Sequence, residues 1–178
     1  ALAVLFGWLF HIKALTSVLP GLVSMKPTSA VVLSSIAISL ALYALGAPRA
    51  AMAAAALAMV LSAGTLVEIF LGVHLGSDGV LHPMSTIPGD PHAGRMSVTG
   101  SISYCLAAMA LWLMCRQTNA ALAQVMALAM TVFTMLPILG YLFGELDFPR
   151  ILGSAPMPPP TAFGLLLVAA GMLSCTWQ

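Results

Sequence analysis

Apolar stretches of about 18 to 26 residues alternate along this chain with short clusters of Gly, Pro, Ser and Asn, a rhythm that predicts helices at about 1–18, 28–46, 50–73, 98–115, 119–144 and 160–177. Each run matches the roughly 20 residues that a helix needs to cross a bilayer. The runs are rich in Leu, Ala and Met and lack the apolar–polar alternation of a transmembrane strand. The expected fold class is therefore all-α: a polytopic membrane protein of about six transmembrane helices, forming a single transmembrane domain over 1–178. Two connections are tight, Gly46-Ala47-Pro48-Arg49 and Arg116-Gln117-Thr118-Asn119, where Gly, Pro and Asn stop one helix and start the next. Three are longer and rich in Pro, Gly and Ser: 19–27, 74–97 and 145–159. Alternation of long and short places the long connections on one side of the membrane, and the tight turns and both termini on the other.

Self-similarity runs through the same pattern. Phe10, Phe70 and Phe143 close the odd-numbered helices in a similar frame, Gly7-Trp8-Leu9-Phe10, Val67-Glu68-Ile69-Phe70 and Gly140-Tyr141-Leu142-Phe143. A methionine opens each even-numbered helix: Met25-Lys26-Pro27-Thr28-Ser29-Ala30, Met96-Ser97-Val98-Thr99-Gly100-Ser101 and Met157-Pro158-Pro159-Pro160-Thr161-Ala162, aligned without a gap. Pro in the first turn and Ser or Thr as a cap account for these starts, because Pro lacks an amide proton and a hydroxyl satisfies one. The frame predicts one hairpin repeated three times, in units of about 1–46, 50–115 and 119–177. With two spans per unit, successive hairpins share an orientation and are expected to close around a pseudo-three-fold axis along the membrane normal. The long connections then converge over its mouth.

Composition fits this picture and removes competing ones. The 178 residues are 61% hydrophobic and 6% charged, whereas a soluble domain carries about a quarter charged residues. The apolar run from Ala1 to Phe10 has no basic segment before it and no small-residue cleavage site after it, so it is expected to be a first span rather than a signal peptide. A net charge of +1 without a basic cluster excludes a nucleic-acid partner. Cys105, Cys115 and Cys175 lack the spacing of a zinc or redox pair and read as small packing residues. No nucleophile–base pair, phosphate loop or paired carboxylates can be assembled, so catalysis within this chain is not expected.

The remaining chemistry gathers at the long-connection side. Glu68 is the one acidic residue well inside a span, in the frame position of Trp8 and Tyr141. It marks either a functional site or a carboxylate wetted near the surface, or paired with Arg95 or Lys13. The connection from His74 to Met96 is about ten residues longer than its counterparts, and structureless connections of that length tend to be functional. It carries His74, His82, Met84 and His92, with Met25, Met96 and Met157 supplied by the repeat. Thioethers and imidazoles select Cu(I), and two imidazoles can hold a haem iron. Packing methionines and solvent-exposed histidines are the plainer alternative. His11 and Lys13 fit snorkelling into the interface, and Pro137 should kink the fifth span. A ligand or cofactor is expected at this end, contacted by some of Trp8, Glu68, Tyr141, Met96, His92 and Arg95.

Several of these phrases resemble the membrane sensory region at the amino end of bacterial sensor histidine kinases and diguanylate cyclases. They are Gly7-Trp8-Leu9-Phe10 with Leu19-Pro20-Gly21-Leu22-Val23-Ser24-Met25-Lys26, Leu75-Gly76-Ser77-Asp78-Gly79-Val80-Leu81 with His92-Ala93-Gly94-Arg95-Met96-Ser97, and Met157 through Phe163. Thr28-Ser29-Ala30 and Thr99-Gly100-Ser101 depart from the usual Asn-Thr-Ala, and Ala93 from the usual Pro. The resemblance implies a signal-transducing domain of the bacterial inner membrane that works as a homo-oligomer, with an output kinase or cyclase after Gln178 and therefore cytoplasmic termini. Positive-charge counting points the other way, since Arg49 and Arg116 flank the tight turns while Lys26, Arg95 and Arg150 lie in the long connections. The alternative function is a cofactor-binding subunit holding haem, quinone, pigment or copper in an electron-transfer or light-harvesting assembly. A transporter fits less well, for want of a pair of broken helices beside Glu68.

Overall fold

A computed structural model of the chain describes residues 2–10, 25–72, 96–143 and 157–176. It is all-α among these residues, with helices α1 (Leu2–Leu9), α2 (Pro27–Ala44), α3 (Pro48–Leu71), α4 (Val98–Arg116), α5 (Ala120–Phe143) and α6 (Pro159–Thr176). The bounds of α2 to α6 fall within two residues of those read from the apolar runs. These five are long and apolar enough to cross a membrane. The chain is a multi-pass membrane protein. Of the expected first span, α1 is the described portion, and 11–18 lie outside the described residues.

The ends of the helices follow local chemistry. Pro27, Pro48 and Pro159 stand in first turns, where the missing amide proton costs nothing. Ser97 accepts from the Gly100 amide at 3.1 Å and Asn119 Oδ1 from the Leu122 amide at 3.0 Å, so these two side chains cap α4 and α5. The two tight turns reverse through left-handed residues, Gly46 at φ 76° and Gln117 at φ 51°. Glycine adopts that conformation without strain, whereas glutamine does not.

Pairwise contacts set the directions. Leu33 and Leu40 of α2 meet Gly164 and Gly171 of α6 in the same order, so these two helices are parallel. Cys105 reaches Ser62, while residues nearer the end of α4 meet residues nearer the start of α3, so α3 and α4 are antiparallel. Hence α2, α4 and α6 all begin at one end of the bundle, where α3 and α5 finish, and the tight turns occupy the other. The three even helices touch one another at the centre, with α4 the most enclosed. Around them, α1 packs on α2, α3 lies between α2 and α4, and α5 between α4 and α6.

Within a bilayer no hydrophobic force holds helices together, and close approach of small residues takes its place. α3 turns Ala51, Ala55, Ala58, Ser62, Thr65 and Glu68 inward, and α5 turns Ala123, Ala127, Met130, Thr134, Pro137 and Gly140 inward at identical spacing. Their opposite faces expose Leu57, Val60, Val67 and Phe70, and Val125, Val132, Leu139 and Leu142. At mid-depth the hydroxyls are satisfied within the protein. Ser34, Ser62, Thr65, Ser103 and Thr134 each donate to a carbonyl one turn earlier, at 2.6 to 3.0 Å. Ser39 instead donates across to the Ala51 carbonyl at 2.8 Å, tying α2 to α3. Cys105, read from sequence as a packing residue, also has a polar role: its thiol donates to Ser62 Oγ, 3.4 Å away.

Candidate functional site

The three even helices start two residues after Met25, Met96 and Met157, and all three methionines are buried. Met157 approaches Gly100 closely enough that its Cε would lie 3.8 Å from a Cβ built there, so the starts of α4 and α6 meet. Tyr104, fully buried one turn deeper, donates its hydroxyl to the Ser29 carbonyl at 3.2 Å and has Thr161 beside it. Side chains of α2, α4 and α6 thus converge on one level, just below the long-connection end.

Four buried polar atoms have no hydrogen-bond partner among the described residues: Thr99 Oγ1, Ser101 Oγ, Thr161 Oγ1 and Tyr141 Oη. Each lies within the last or first few residues of its helix at that same end. Thr99, Ser101 and Thr161 are at most 1% exposed, so water outside the bundle does not reach them. Buried hydroxyls are normally bonded, and an unbonded one costs about 1–3 kcal/mol. Deeper in these helices Ser103 of α4 and Thr134 of α5 bond to carbonyls, so the orphaned groups lie at one end. Ser101 shares the α4 face of Tyr104 three residues on, and with Thr161 it can accept from, and donate to, a small polar guest between the starts of α4 and α6, whereas Thr99 is turned about 160° away from Ser101.

Glu68 sits at this end too, one turn before α3 stops, 1% exposed and not without a partner. A carboxylate wetted at the surface does not describe it. The ends of α3 and α5 and their inward stripes match in spacing at an offset of 72 residues, which pairs Glu68 with Gly140 in sequence, whereas the phenylalanine frame pairs it with Tyr141. One residue turns a helix by about 100°. Glu68 is accordingly enclosed while Tyr141 is half-buried, although its hydroxyl is covered.

Of the other expected contacts, Met96 is buried among core residues, as are Met25 and Met157. Trp8 lies in α1, and its side chain is outside the description. His92, Arg95, His74, His82, Met84, His11 and Lys13 lie outside the described residues. Among the described residues no group of three His, Cys, Asp or Glu side chains could hold a metal. The hydroxyls of Thr99, Ser101 and Thr161 do not stand out in the sequence because Ser and Thr at helix starts read as caps, the role that Ser97 fills. Comparison with protein-family models, curated proteins and solved structures finds no match.

Proposed function

We propose that the chain is a membrane-embedded sensory domain. A small polar ligand would bind at the long-connection end and, by shifting the inner helices, bias a cytoplasmic kinase or cyclase. The observation that carries this reading is the pair of orphaned, fully buried hydroxyls on α4, with Thr161 of α6 beside the Tyr104 hydroxyl at its junction with Ser29. A guest that bonds to Ser101 and Thr161 touches two inner helices at once. Its binding energy is then sensitive to their relative position, which is what a transducer requires.

The reading extends to architecture. α1 belongs to a sixth span, and the three hairpins are copies related by rotation about an axis through the inner helices. Support comes from the matching start of each even helix after a buried methionine, and from the equal spacing of the inward stripes on α3 and α5. The turn end faces the cytoplasm in this reading, the assembly is a homo-oligomer, and the membrane is the bacterial inner membrane. The test uses the full-length protein in its native membrane, with output activity as readout. Thr161→Val and Glu68→Gln should each abolish the response while the protein still inserts and folds. An unchanged response in both would move the site elsewhere, and a coding frame that closes at Gln178 with no signalling partner beside it would remove the sensory assignment.

A further inference from the structure

A second feature lies between mid-depth and the turn end of the bundle and faces outward. Between α3 and α4 runs an apolar cleft of about 260 Å³, walled by Ala55, Ala56, Met59, Val60, Met109 and Trp112. Val60 and Met109 are exposed at its rim, so it opens on the lipid side. The alanines of α3 make it a recess where larger residues would have made a ridge. Along α3, Val60 and Ala56 lie on a stripe that leads, two turns before Ala56, to Arg49. Along α4, Met109 and Trp112 lie on a stripe that ends at Arg116, whose guanidinium sits 5.6 Å from the Trp112 ring. Both walls therefore finish in an exposed arginine at the turn end.

No carboxylate balances these cations nearby in sequence. The five acidic residues are Glu68, Asp78, Asp90, Glu145 and Asp147, and none falls in 1–67, 96–144 or 157–178. An apolar slot that leads to two guanidinium groups, neither with a carboxylate near it in sequence, matches one occupant: an anionic phospholipid, with an acyl chain in the slot and its phosphate between Arg49 and Arg116. We propose that this cleft is a specific site for an anionic phospholipid in the leaflet of the tight turns, distinct from general lipid contact. Planar guanidinium forks suit a phosphate, and stacking on Trp112 fixes one of them in place.

Brominated acyl chains quench tryptophan on contact, which makes Trp112 the reporter. The protein carrying Trp8→Phe and Trp177→Phe is placed in nanodiscs with rising fractions of brominated phosphatidylglycerol or brominated phosphatidylcholine. Each cation near the membrane surface favours anionic lipid by about fivefold, so with two arginines half-maximal quenching should come at up to about a 25-fold lower fraction of phosphatidylglycerol. Arg49→Gln with Arg116→Gln should bring the two curves together. Coincident curves in the protein with both arginines would overturn the proposal. If the tryptophan substitutions prevent folding, native mass spectrometry of the unsubstituted protein decides: retention of phosphatidylglycerol over phosphatidylcholine supports the site, and equal retention overturns it.

Discussion

Replacing either glycine of α6 by alanine tests the seam between α2 and α6, and the two substitutions should not cost the same. A Cβ at Gly164 would lie 2.6 Å from Leu33 Cδ2, with Leu33 Cδ1 and Cγ both at 3.6 Å. At Gly171 it would lie 2.7 Å from Leu40 Cδ2, with the next atom at 3.9 Å. The primary clashes are nearly equal, so the outcome depends on whether each leucine can move. Leu33 is 4% exposed and presents its whole branched end to the glycine, whereas Leu40 is only partly buried and presents one methyl. Overpacking an enclosed site costs about 1–3 kcal/mol, against which Gly→Ala gains about 0.5–1 kcal/mol of helix stability. Gly164→Ala should therefore destabilise by about 1–2 kcal/mol, and Gly171→Ala should fall within about 0.5 kcal/mol of no change. Adding Leu33→Ala to Gly164→Ala should cost less than the sum of the two, with about 1–2 kcal/mol of coupling. Unfolding in mixed micelles at rising fractions of denaturing detergent measures all four variants. Gly164→Ala as stable as the parent, or Gly171→Ala the more damaging of the pair, would refute the packing argument.

Three further outcomes follow from other parts of the bundle. Gln117→Gly relieves a left-handed residue between α4 and α5 and should raise stability by about 1 kcal/mol in the same unfolding assay; a loss would mean that the turn depends on the Gln117 side chain. Ser39→Ala and Tyr104→Phe each delete one interhelical hydrogen bond and should cost about 0.6–1.7 kcal/mol, the range for such bonds in membranes, while their sum should be additive because they sit at opposite ends of α2. In a cysteine-free background, Ser77→Cys in the long connection and Thr118→Cys in the turn should react with an impermeant thiol reagent from opposite sides of sealed vesicles, and labelling from one side alone would contradict the alternating topology.

Helix positions were legible because the signals that stop a membrane helix are local. Gly46, Pro48 and Asn119 act through their own backbone or side chain. The rotation of each helix was not legible to the same degree. A helix in lipid is apolar on the face toward its neighbours as well as on the face toward the bilayer, so no contrast between wet and dry residues marks the inner side. The small-residue stripe from Ala51 to Thr65 held that information, whereas the conspicuous Phe70 and Phe143 point outward, 65% and 77% exposed. Aligning on them pairs Glu68 with Tyr141, whereas the spacing of the inward residues pairs it with Gly140. The hydroxyl set escaped for a related reason. Whether Thr161 caps its own helix or faces an inner neighbour depends on packing against α4, which local sequence does not encode. Gln117 carries no signature of left-handed backbone, and its conformation is imposed by the tight connection.

A density map of the protein extracted from its native membrane shows whether the buried hydroxyls at the long-connection end hold a small polar guest. At a resolution that reveals ordered solvent, the expected result is non-protein density larger than a water molecule, within hydrogen-bonding distance of Ser101 Oγ and Thr161 Oγ1. Density for water alone, or hydroxyls bonded to neighbouring protein groups with nothing between them, would contradict it.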